Sequence, residues 1–124
     1  MVTFSKVDEL PSHQVPSGIM HRLIGDKLTV MWGKRGKGSQ TPKHSHPHEQ
    51  IAWLVSGRLD CRIGDGPVQS LEAGTAFLIP GGVEHEFWYR EDCEIVEIFS
   101  PPRHDLFPGG KHAQDLATDL GRDR

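Results

Sequence analysis

A chain of 124 residues is one domain's worth of sequence, enough for a single modest core. Its 35% hydrophobic and 25% charged residues are ordinary for a globular protein, so disorder is not the expectation. A formal net charge of -3 gives no electrostatic reason to expect nucleic acid or an anionic membrane as partner, and no apolar run is long enough to span a bilayer.

Residues 1–18 read as an N-terminal arm, without the charged-then-apolar order of a secretion signal, so a cytoplasmic location is expected. Residues 19–24 and 27–32 alternate around Gly25-Asp26, a pair suited to a two-residue hairpin turn. Residues 33–43 (GKRGKGSQTPK) have no periodicity and read as a loop whose four basic side chains could attract an acidic ligand. Residues 50–56 are apolar, Gly57 turns, and residues 58–63 alternate, with Leu59, Cys61 and Ile63 on one face and Arg58, Asp60 and Arg62 on the other. Strands at 67–72, 75–79, 83–90 and 93–99 follow, separated by Ala73-Gly74, Pro80-Gly81-Gly82 and a polar pair. Cys61 and Cys93 belong to no CxxC pair and are expected to be free, buried thiols. Beyond Arg103 the tail 104–124 is polar, although Leu116 and Leu120, four apart, permit one short helix.

About eight strands in so short a span leave no length for crossover helices, so the sheets must be largely antiparallel. Closing them into a barrel or jelly roll hides or shortens their edges. The expected fold is all-β, with one barrel over residues 19–103.

The eight histidines need a separate explanation, and two segments supply it. The first, TPKHSHPHEQ, ends at Gln50; in an extended chain residues two apart point to one side, so His44 and His46 can converge on a single point. The second, GTAFLIPGGVEH, runs from a buried strand through a Pro-Gly-Gly turn to His85. His85 shares its face with Val83, Phe87 and Tyr89, while Glu84, Glu86 and Arg90 fall on the other. A histidine on an inward face needs a partner, and a metal already held by two others would provide one.

These two segments resemble the paired motifs of the cupin superfamily. The first motif, G-x5-H-x-H-x3-E-x6-G, is met by Gly38, His44, His46, Gln50 and Gly57; the second, G-x5-P-x-G-x2-H-x3-N, by Gly74, Pro80, Gly82 and His85. Gln50 stands where glutamate is usual, and Tyr89 replaces the asparagine. The resemblance implies a jelly-roll barrel holding one divalent metal ion (Zn, Ni, Fe, Mn or Cu) through His44, His46, Gln50 and His85. Parity agrees, since His44, His46 and Gln50 all fall on even positions; His48 does too, but Pro47 is expected to swing it toward the rim as a pocket residue. Three imidazoles and an amide are neutral donors, which leaves the full charge on the ion and favours an anionic substrate.

In the run CEIVEIFSPPR, Cys93, Ile95, Glu97 and Phe99 share the inward-looking face. A carboxylate there costs several kcal/mol unless paired or used. Glu97 reads either as a general acid/base beside the metal or as one half of an ion pair with Arg103 or another arginine. The stretch is similar to the KdgF-type cupins, which linearise 4,5-unsaturated uronate sugars and carry an acidic residue, a spacer and Phe-Ser-Pro-Pro-Arg. Glu97, Phe99 and Arg103 match, with glutamate for the family's aspartate. The similarity implies that Arg103 orients the sugar acid while Glu97 moves a proton, with His48, Phe87, Tyr89 and Phe99 around the substrate.

Three functions follow as expectations. The first is a metal-dependent isomerase or lyase for a small, oxygenated, anionic substrate, with an unsaturated uronate as the named candidate. The second is an Fe- or Cu-dependent dioxygenase, and the third a metal-stabilised binding module without turnover. The exposed edge around residues 19–32 suggests a homodimer.

Overall fold

The computed structural model describes residues 4–106. Among them ten strands follow one another: β1 (Ser12–Val15), β2 (Gly18–Ile24), β3 (Thr29–Arg35), β4 (Gln40–His44), β5 (Glu49–Ser56), β6 (Arg58–Ile63), β7 (Gln69–Glu72), β8 (Ala76–Ile79), β9 (His85–Tyr89) and β10 (Cys93–Ser100). Every pairing is antiparallel, as strands without crossover helices require. They form a six-stranded sheet in the order β1-β2-β3-β10-β5-β8 and a four-stranded sheet in the order β4-β9-β6-β7. Two antiparallel sheets enclosing one core make this an all-β jelly-roll barrel.

Strand alternation puts the core where the sequence patterns point. Cys93, Ile95, Glu97 and Phe99 of β10 are buried and Glu94 and Ile98 are exposed; His85, Phe87 and Tyr89 of β9 are all buried. One apolar cluster gathers Leu54, Leu59, Cys61, Ile79, Phe87, Tyr89 and Ile95, a second Val15, Met20, Met31, Phe99 and Leu106. Each such side chain removed from water contributes about 1.5–3 kcal/mol. Both cysteines are free and buried as expected, and burial pushes the Cys61 thiol up to about 11. No helix among the described residues is long and apolar enough to cross a membrane.

Three details differ from the sequence expectations. The stretch expected as an N-terminal arm contributes β1, which pairs with β2, and a short 3-10 turn at Val7–Glu9. The first hairpin turns one residue later than expected: Ile24 pairs with Thr29, and the Gly25 N–H donates to the Leu28 carbonyl at 2.7 Å, which leaves Asp26 and Lys27 at the tip. Residues 33–43 are mostly strand, ending β3 and forming β4. The missing periodicity that suggested a loop has a tertiary explanation at the start of this run. Met20 fills the space a side chain on Gly33 would need, and Arg35 points inward to a buried carboxylate. The helix permitted near Leu116 and Leu120 lies outside the described residues.

Candidate metal centre

The four candidate ligands come from three strands and one loop. Strand β4 carries His44, the segment after it His46, β5 Gln50 and β9 His85. A one-residue bulge in β4 aligns the first pair: Thr41 faces Phe87, yet His44, three residues on, faces His85, two residues back. Without that extra residue His44 would point to the opposite side of the sheet. Strand β4 lies at a sheet edge, where Pro42, which has no N–H, is tolerated within the bulge.

The turn of the second motif closes onto the first. The Gly82 N–H donates to the His46 carbonyl at 2.8 Å, and a Cβ on Gly81 would come within 2.4 Å of the Pro47 carbonyl oxygen. Only glycine at position 81 allows so close an approach, and it brings the loop bearing His46 against the strand leading to His85.

The three histidines then converge. One ring nitrogen from each of His44, His46 and His85 lies within 4.8 Å of the others. His46 is 1% exposed, His85 2% and Gln50 1%. Each Nδ1 is held by a backbone carbonyl: His44 by Pro42 at 2.8 Å, His46 by His48 at 3.0 Å and His85 by Val83 at 2.9 Å. A carbonyl can only accept, so each Nδ1 carries the hydrogen and each Nε2 keeps its lone pair. Burial and the neighbouring rings and Arg103 pull His46 down to about 3, and burial with His85 pulls His44 down to about 4. Burial lowers His85 as well. All three are therefore neutral near pH 7, the form that binds metal.

Two features suit a cation there. The His85 Nε2 is buried without a hydrogen-bond partner. The His46 Nε2 lies 3.0 Å from the Gln50 Oε1, two lone pairs facing each other. A positive ion against both would turn a repulsion into an attraction, and an imidazole-rich set with one amide oxygen suits a divalent transition metal.

Behind the ligands runs a buried polar chain. The Gln50 Nε2 donates to the Glu97 Oε2 at 2.5 Å, and the Arg35 Nη2 donates to the Glu97 Oε1 at 3.2 Å. Arg35 also donates to the Ser17 hydroxyl. Glu97 is thus inward and paired, and its arginine is Arg35 rather than Arg103. Arg103, 3% exposed, turns its Nε and Nη2 to the two oxygens of Asp105 at 3.1 and 3.0 Å. Its guanidinium carbon lies 4.7 Å from the centre of the Phe99 ring, which meets His46 edge-on at 5.6 Å. Burial alone would raise Asp105, but its bonds to Arg103 outweigh that and hold it below the usual carboxylate range.

The remaining expected residues divide. Phe99 borders the histidines directly. His48 is buried beside Asp105, its Nε2 3.9 Å from the carboxylate and its Nδ1 without a partner; burial, with Arg103 next in weight, pulls it down to about 4. His48 stands outside the three-histidine cluster, and it lies in this buried corner rather than at the rim. Phe87 and Tyr89 sit in the apolar cluster, Phe87 with its ring centre 6.0 Å from that of His85. The Tyr89 hydroxyl lies 2.7 Å from the Thr41 hydroxyl oxygen, and burial pushes it up to about 12.

Two residues of this network escaped sequence reasoning. Arg35 has a signal in hindsight, since Thr29, Met31, Gly33 and Arg35 share one face of β3 and Glu97 needed a partner. Asp105 has none, because it follows the last strand and only the chain's path returns it to Arg103 and His48.

A family model described as the Cupin domain matches residues 34–99, the span holding both motifs and all four candidate ligands. The chain belongs to the cupin family. Among solved structures this cupin is similar to KdgF from a Halomonas species, with a TM-score of 0.78 and 25% identity over 86% of this chain and all of the other. It is 30% identical over 66 residues to an uncharacterised protein of Streptomyces coelicolor, covering 52% of this chain and 62% of that one. It is 33% identical over 72 residues to the H2HPP isomerase of Bacillus subtilis, covering 56% of this chain and 30% of that one. The chain thus spans less than two thirds of the length of either sequence relative. What it carries is a cupin barrel with a three-histidine cluster suited to a divalent metal.

Proposed function

We propose that this cupin is a metal-dependent isomerase acting on a small oxygenated acid, and that an unsaturated uronate, opened from its ring form, suits its residues best. The observation that carries the reading is the placement of Glu97 one hydrogen bond behind Gln50, together with Arg103 on the Phe99 ring beside His46. An acid/base group and a carboxylate-binding group then border one metal site. The likeness to KdgF over most of the chain and the sequence relationship to an isomerase support it.

His44, His46, Gln50 and His85 would hold the cation, which supplies a Lewis acid to polarise a substrate oxygen. The protein's own groups do the rest. Arg103 spends Nε and one Nη2 hydrogen on Asp105, so its Nη1 edge is left for a substrate carboxylate, and Asp105 sets its angle. Each Glu97 oxygen accepts from one partner and keeps a lone pair able to take a proton. Phe99 walls the histidines and excludes water on that side. The charged groups Arg35, Glu97, Arg103 and Asp105 weigh against a dioxygenase, whose oxygen chemistry favours an apolar surround.

The test follows loss of the unsaturated uronate's ultraviolet absorbance in metal-loaded protein, with and without chelator. Chelator-sensitive acceleration over the spontaneous reaction is expected. Glu97→Gln should lower kcat, and Arg103→Lys should mainly raise KM. No acceleration in the metal-loaded protein, with oxygen uptake on other small acids, would refute the reading.

A further inference from the structure

Gln50 poses a problem of orientation. An amide has a donor end and an acceptor end of nearly equal size, and only the oxygen can hold a cation. A ligand glutamine must therefore be told which way to point, which a carboxylate ligand need not be. In this chain the instruction is built in. The Nε2 of Gln50 meets the Glu97 carboxylate at 2.5 Å, and an ionised carboxylate accepts but never donates. The flipped amide would press its oxygen against that carboxylate and turn its N–H groups to His46 Nε2 and the cation. Glu97 is itself pinned by Arg35, which is anchored on Ser17.

We infer that Glu97 is a positioning residue for the metal ligand Gln50: with Arg35 it locks the amide so that Oε1 faces the cation, and it holds one hydrogen bond behind the ligand the negative charge that a glutamate at position 50 would place on it. This inference rests on the reading of Gln50 as a ligand. A charge-assisted hydrogen bond on the amide nitrogen draws electron density toward Oε1 and makes an otherwise poor donor a better one. Hydrogen-bond partners behind a metal ligand commonly change affinity by about 10–100-fold when removed.

The inference makes a test by exchange possible. In Glu97→Gln, Arg35 takes the new amide's oxygen, so its N–H groups face Gln50 and favour the flipped Gln50 amide. In the double variant Gln50→Glu/Glu97→Gln the two side chains trade places. The carboxylate becomes the ligand, accepts from the new amide, and that amide's oxygen accepts from Arg35. In Gln50→Glu alone two carboxylates meet where one hydrogen bond stood.

Zn2+ affinity of the metal-stripped chain is measured by competition with a chromophoric chelator, alongside the chelator-treated unfolding midpoint of each variant. Glu97→Gln is expected to weaken Zn2+ binding about 10–100-fold in the wild-type background, and to leave it unchanged or tighten it in the Gln50→Glu background. That reversal of sign is the readout, because a merely structural Glu97 costs the same in both. Equal loss in both backgrounds, or none in either, overturns the inference. Should Glu97→Gln alone fail to fold, the exchange still decides. The double variant must fold and bind Zn2+ within about threefold of wild type, whereas a carboxylate kept only for its ion pair with Arg35 leaves it unfolded too.

Turnover is not read in this experiment, so failure of the isomerase reading leaves the outcome intact. If Glu97 also carries the proton, the double variant binds metal and turns over slowly. If Gln50 is no ligand, Gln50→Ala leaves Zn2+ affinity unchanged and the inference falls with it.

Discussion

Replacing Arg35 with methionine tests the buried chain behind the metal centre. Arg35 and Glu97 are each 6% exposed, and their charged atoms approach to 3.2 Å. At that separation, with an effective dielectric near 20, the attraction is about 5 kcal/mol. Methionine keeps much of the arginine stem's bulk but strands the Glu97 charge in the interior, and it takes a partner from the buried Ser17 hydroxyl. Breaking a buried pair from one side costs about 3–5 kcal/mol. For a domain whose total stability is about 5–15 kcal/mol, that is a large fraction. Urea unfolding read by tryptophan fluorescence, with chelator present so that metal does not contribute, measures it directly. Arg35→Met/Glu97→Gln, which removes both charges, should recover most of the loss. A cost under about 1 kcal/mol for Arg35→Met, or a double variant worse than the single, would refute the account of the pair as mutually dependent buried charges.

Three other outcomes are expected. His44→Ala, His46→Ala and His85→Ala should each lose most bound metal and Gln50→Ala less, by elemental analysis of purified protein; full metal content in His85→Ala would break the constellation. The imidazoles of His46 and His44 lie at about 3 and about 4 in the folded chain against an ordinary 6.5, and His85 is lowered too. The folded state thus binds fewer protons than the unfolded one between those values. Chelator-treated protein should be flat in stability above about pH 6.5 and lose on the order of a few kcal/mol as pH falls toward 4; a flat profile from pH 7 to 5 would count against neutral buried histidines. The edge expected at residues 19–32 is not free, because β2 lies between β1 and β3; the homodimer is proposed instead through the outer face of the six-stranded sheet, where Ile19, Ile51, Trp53, Leu78 and Ile98 are exposed. Light scattering should give twice the chain mass, and Trp53→Glu a monomer; a monomeric wild type at micromolar concentration would end that proposal.

The sequence by itself determined the barrel and the candidate ligands, because both rest on local rules. Strand alternation assigns faces two residues at a time, which placed His85, Phe87 and Tyr89 together and put Glu97 on the inside of β10. Gly, Pro and the short runs between them left antiparallel sheets as the one economical arrangement. The resemblance to the paired cupin motifs singled out His44, His46 and Gln50 in one segment and His85 in another. Tertiary structure decided what no local rule contains. The β4 bulge, which sets His44 opposite His85, depends on the register of a strand more than forty residues away. Residues 33–35, expected as loop, continue β3, where Met20 of β2 fills the space beside Gly33 and Glu97 of β10 pairs with Arg35. The choice of Arg35 for Glu97 and of Asp105 for Arg103 was equally remote from the sequence. A buried charge announces that it needs a partner, since isolation costs several kcal/mol, but which opposite charge reaches it is set by how the sheets stack.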